Sequence, residues 1–161
     1  MKETMQISGL PLHPLLVHAV VVLIPLTVVA VLLTQFWPVA RRRLGIVTPL
    51  AALAVLVLVP ITVAAGRSLA GLVGPLPKVQ THQHYGQMLL PWVIALFVVA
   101  AAQWWWFRWG ERRYPAARGG IATAAPVLLA AASIVVGLGT LILVVIIGDT
   151  GARAVWGSLL A

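Results

Sequence analysis

Four histidines and one aspartate carry most of the chemistry open to this chain. His13 and His18 frame the run PLHPLLVH, His82 and His84 stand in THQHYGQ, and Asp149 follows Gly148 in GDTGARAVW. Imidazoles supplied by different helices can ligate haem iron or a transition metal such as zinc or copper. They also titrate near neutrality, so beside a carboxylate they can move protons. Residues five apart on a helix are separated by about 140°, so His13 and His18 cannot point at one spot from a single helix. Pro14 suits a first helical position. That puts His13 ahead of the helix and His18 about one turn inside it. An ionisable group at such a depth usually faces the bundle interior and marks function, so His18 is the expected ligand. His82 and His84 are two apart: opposed on a helix, on one side in an extended segment. One of them is expected to join His18. Asp149 would oppose the dipole of a helix that ends there, and Arg67 or Arg153 is its expected counter-charge.

The elements that position these groups must lie in lipid. Of 161 residues, 61% are hydrophobic and 9% charged, against about 25% charged in a soluble domain. Mean hydropathy is +1.04. A spanning helix needs about 20 apolar residues, so the length allows four spans and no separate catalytic domain. They are read at residues 15–37, 45–66, 87–106 and 121–148, forming one all-α domain, an antiparallel four-helix bundle. The first run is too long for a signal-peptide core and ends in Arg41, Arg42 and Arg43. Pro25, Pro49, Pro60, Pro91 and Pro126 fall inside the spans as kinks. Ser133, Gly137 and Thr140 form a small, polar face suited to close helix packing.

Charge sets the orientation. Seven arginines flank one side of the spans: Arg41, Arg42, Arg43, Arg108, Arg112, Arg113 and Arg118. Four basic residues flank the other: Lys2, Arg67, Lys78 and Arg153. The positive-inside rule puts the first group in the cytoplasm. Both termini and all four histidines are then outside. The net charge of +8 is read as lipid contact and orientation, with no role in nucleic-acid binding. WWWFRW, Trp104 to Trp109, and Trp37 form an inner aromatic belt; Trp92 and Trp156 are expected at the outer interface. The inner ends offer arginines, aromatics and Glu111. With no cysteine, disulfides, iron–sulfur clusters, thiolate zinc sites and c-type haem attachment are excluded. Ser8, Ser68 and Ser158 have no nucleophile–base motif around them, so an enzyme is not expected. No inverted repeat marks a transporter, and a pore or carrier would require a homo-oligomer.

The stretch GLPLHPLLVH, Gly9 to His18, resembles the opening of the bacterial membrane family known as domain of unknown function 2231. Its members resemble one another in G-x-P-x-HP-x-x-VH, then a histidine followed four residues on by glycine (here His82 and Gly86), then G-[HD]-x-G (here Gly148 to Gly151). The resemblance implies four membrane helices. Some members carry histidine in the last motif and look similar to haem-binding cytochrome b domains; others stand beside redox modules. Here Asp149 replaces that histidine, which leaves His18 and His82 as the pair the resemblance favours. The expected function is a bacterial inner-membrane subunit that holds haem b or a metal ion through His18 and His82. His13, His84, Asp149 and Arg67 surround that site, and the partners are redox or respiratory membrane proteins. Two alternatives stay open: an accessory or scaffold protein whose histidines are structurally satisfied, and a proton-coupled function through His18 and Asp149.

Overall fold

A computed structural model describes residues 6–7, 10–74, 76–114 and 120–156. Lys2, Ser8, Gly9, Arg118 and Ser158 lie outside the described residues. A two-residue ladder pairs Gln6–Ile7 with Leu10–Pro11. All else that is regular is helical: α1 (Leu12–Phe36), α2 (Pro38–Leu44), α3 (Val47–Val73), α4 (Pro77–Trp105), a π-helical turn (Trp106–Gly110), α5 (Glu111–Arg113) and α6 (Ile121–Trp156). In hydrocarbon every backbone N–H and C=O must be satisfied within the chain, and helices do this segment by segment. Four stretches are long and apolar enough to cross a membrane, including the continuous run Pro77–Arg113. At 1.5 Å per residue, α1 alone is about 37 Å long, more than the roughly 30 Å of a hydrocarbon core.

The breaks between helices follow local chemistry. Pro38 opens α2 at its first turn and Gly45, at φ 44°, closes it. Gly74 ends α3 at φ 89°, a conformation that costs a side-chain-bearing residue dearly. Extended Leu76 then precedes Pro77 at the start of α4. Nothing between Gly66 and Gly74 interrupts the helix, so α3 runs on to Val73. For the same reason α4 begins at Pro77, not near Gln87. Reading those polar stretches as loops underrates them: at a membrane end, polar residues remain helical where no breaker stands.

The helices pack in the cyclic order α1, α3, α4, α6, with α1 and α4 on one diagonal. The result is an antiparallel four-helix bundle. Its core is short-branched: Ile24, Val28, Val55, Val59, Val93 and Leu96 are each at most 1% exposed. Lipid tails are as apolar as these side chains, so tight van der Waals contact drives the association. The stripe of small residues on α6 serves it. Ser133 and Thr140 are fully buried, and a Cβ on Gly137 would come within 3.0 Å of Val28 Cγ1.

Trp92 is not an interface residue. It sits midway along α4, packed against the core, with its six-membered ring on Gly139 of α6 where no Cβ fits. Gly139→Ala should gain about 1 kcal/mol of helix propensity yet lose about 1–3 kcal/mol to overpacking. The expected net effect is destabilisation, read by unfolding in detergent and suppressed by Trp92→Leu. If Gly139→Ala raises stability instead, the ring is not locked there.

Candidate functional site

His13 opens the first turn of α1. His82 stands in the second turn of α4, diagonally across the bundle from α1. Their ring centres are 6.2 Å apart with planes inclined at 77°. His13 Nδ1 lies 3.0 Å from the Thr62 carbonyl on α3. His82 Nδ1 lies 3.1 Å from the Ile147 carbonyl on α6, with Thr150 Oγ1 at 3.3 Å. A carbonyl can only accept, so in both rings Nδ1–H is the donor, and in the neutral imidazole the lone pair is then on Nε2. In metal sites a bond of this kind fixes the tautomer and orients the ligating ring.

Each ring rests on a glycine of the helix it bonds. A Cβ on Gly66 would stand 2.9 Å from His13 Cε1, and one on Gly151 would stand 3.0 Å from His82 Cε1. Both contacts are closer than real side chains tolerate without displacement. The two imidazoles border a cavity of about 570 Å³ at the histidine-bearing end of the bundle, within the range typical of ligand pockets. Val20, Val59, Leu89 and Val144 line it about two helical turns inward of the histidines; Arg67, Ala70 and Val73 line it further out along α3.

The expected partners divide. His82 is at the site and His13, expected only around it, is the ring it meets. His18 is exposed; its Nδ1–H donates to the Pro14 carbonyl of its own helix at 2.6 Å, and it borders the cavity without a ring contact to either histidine. His13 thus stands inside the helix rather than ahead of it, and it is His13, not His18, that meets the His82 ring. Helix α1 starts at Leu12, and its buried stripe passes through Val20 and Ile24. His13 lies seven residues before Val20, on nearly the same face; His18 lies two before it, nearly opposite. His84 is exposed, set edge-to-face with Tyr85 at 5.7 Å. Asp149 is exposed and paired with Arg153 at 2.8 Å, apart from the cavity. Arg67 borders the cavity, while the counter-charge of Asp149 is Arg153. Among the described residues, no group of three or more His, Asp or Glu is placed to hold a metal ion.

At the end of the bundle away from the histidines lies a polar cluster that the sequence motifs do not announce. Gln103 is fully buried. Its Nε2 lies 2.7 Å from Ser133 Oγ, 3.0 Å from Gln35 Oε1 and 3.3 Å from the Val31 carbonyl. Thr34 and Thr48 bond each other at 3.1 Å. Arg41 closes this end. It donates to the Thr34 and Gln35 carbonyls at 2.9 and 2.8 Å, covers the Phe107 ring at 3.4 Å and faces Glu111 at 3.6 Å. Burial pushes its guanidinium down from the ordinary value while Glu111 pushes it up; an arginine stays charged throughout. Glutamines within apolar runs were the available signal.

The model of a family described as predicted membrane protein, DUF2231, matches residues 9–160. The chain belongs to the DUF2231 family. It is an integral membrane protein with four candidate spans, and the histidine pair lies within the matched region. No curated protein and no solved structure matches the chain.

Proposed function

We propose that this DUF2231 protein holds a haem b between His13 and His82, as a redox-associated subunit of the bacterial inner membrane with its histidine end and both termini outside. The carrying observation is the pair itself: two imidazoles on diagonal helices, each with Nδ1–H on a carbonyl and Nε2 without a hydrogen-bond partner among the described residues. A metal–nitrogen bond of about 2 Å places two imidazole centres about 6 Å apart when they stand on opposite sides of one metal, and about 5 Å at a tetrahedral angle. The 6.2 Å separation favours opposite placement, as in bis-histidine haem. When bound, such a haem supplies one-electron transfer, and redox membrane proteins are its natural partners. The chain contributes orientation through the Thr62 and Ile147 carbonyls, room through Gly66 and Gly151, and apolar walls that exclude water. A lone transition-metal ion is the weaker form of this reading. With waters occupying about 30 Å³ each, it would fill little of the cavity.

The scaffold reading has one observation of its own: Nδ1 of each imidazole is bonded and each ring is packed on a glycine, which satisfies both histidines structurally. Absorption spectroscopy and metal analysis of detergent-purified protein decide between the two. A low-spin Soret band with paired visible bands, at about one haem per chain, is expected. No chromophore and no stoichiometric metal would leave the scaffold.

A further inference from the structure

The bundle contains an internal two-fold. Set in register on His13 and His82, α1 and α4 align Val20 with Leu89, Ile24 with Val93, Thr27 with Leu96, Val31 with Ala100 and Thr34 with Gln103. Every one of these positions is buried. Set in register on Gly66 and Gly151, α3 and α6 align Thr48 with Ser133, Ala52 with Gly137, Val55 with Thr140 and Val59 with Val144, again all buried. The contacts repeat with the positions. His13 on Thr62 and Gly66 matches His82 on Ile147 and Gly151. Thr34 on Thr48 matches Gln103 on Ser133. The packing order α1, α3, α4, α6 is the ring such an axis generates. Two parallel helix pairs are thus related by an axis along the bundle that passes between the two imidazoles and down the cavity.

Departures from this symmetry mark where the two walls differ. The inner part of the cavity keeps it, with Val20, Leu89, Val59 and Val144 as two matched apolar pairs. The charged departure is Arg67, whose counterpart on α6 is Ala152; both border the cavity. No acidic residue is among those lining the cavity, since Asp149 turns to Arg153 outside it. An apolar inner end cannot solvate a carboxylate, whereas the outer part holds an exposed guanidinium suited to bind one.

We propose that the ligand on this axis is a planar macrocycle with carboxylates on one edge, that this edge faces outward, and that Arg67 is the residue that binds it. The proposal rests on His13 and His82 as the ligand pair. It is tested by titrating cofactor-free protein in detergent with haem b and with its dimethyl ester, following the low-spin spectrum. The wild type is expected to bind haem b at least tenfold tighter than the ester. Arg67→Ala should bring the two affinities within about twofold by weakening haem b alone. Moving the cation across the axis, in Arg67→Ala with Ala152→Arg, should restore the preference. Equal affinities in the wild type, or a preference untouched by Arg67→Ala, would overturn the role of Arg67. A double variant that stays like Arg67→Ala overturns the equivalence of the two walls. If neither porphyrin gives a low-spin spectrum, the ligand pair itself is wrong and the proposal falls with it.

Discussion

Replacing His13 or His82 with alanine is expected to abolish the low-spin haem spectrum of the purified protein, while His18→Gln leaves it unchanged. The two histidines are not redundant. On the proposed reading each would supply one Nε2 to the haem, so loss of either would leave the group short of a ligand. Loss of an outer-sphere partner alone typically lowers metal affinity by about 10–100-fold; loss of the ligand should exceed about 100-fold. His18 is exposed and satisfied by its own helix, so Gln at that position should bind haem within about twofold of wild type. Free imidazole separates ligand loss from misfolding: it should restore a low-spin spectrum in either alanine variant, because the vacated space admits it. A His18→Gln protein that loses its spectrum while His13→Ala keeps it would return the site to the pairing that the sequence suggested.

The placement of His13 and His18 shows what the sequence could and could not carry. Their separation around the helix was legible from spacing alone. Which of the two faces inward was not, because α1 is apolar on every side. Val22, Leu26 and Val29 face lipid while Val20, Ile24 and Val28 face the core, and hydropathy does not tell them apart. In water, exposed leucines would be rare enough to mark the inner face. In a bilayer the solvent matches the core, and packing shape decides instead. The polar residues held the answer. Thr27 and Thr34 are buried and lie on the stripe that leads back to His13. The number of spans and the clustering of histidines at one end were readable because lipid imposes length and continuity on helices. The Trp92 ring on Gly139 was not, since it arises from a contact between helices.

The polar cluster around Gln103 sets a different contest, between hydrogen bonding and volume. Gln103 donates from one amide nitrogen toward three acceptors, while its own Oε1 and the nearby Trp106 Nε1 are buried without a partner among the described residues. An interhelical hydrogen bond in a membrane protein averages about 0.6 kcal/mol, and the unpaired oxygen offsets part of that gain. The Val31 carbonyl keeps its helical donor and Ser133 keeps its own bond to the Leu129 carbonyl, so of the three acceptors Gln35 Oε1 is the one left without its donor. Gln103→Leu, similar in size, therefore should cost less than about 1.5 kcal/mol. Gln103→Ala loses the same bonds and opens a cavity, so it should cost about 2–4 kcal/mol. Reversible unfolding in mixed detergent micelles measures both. If Leu proves as damaging as Ala, the amide network holds that end of the bundle together. If Leu is tolerated and Ala is not, close packing does so, as it does in the apolar layers between this end and the histidines.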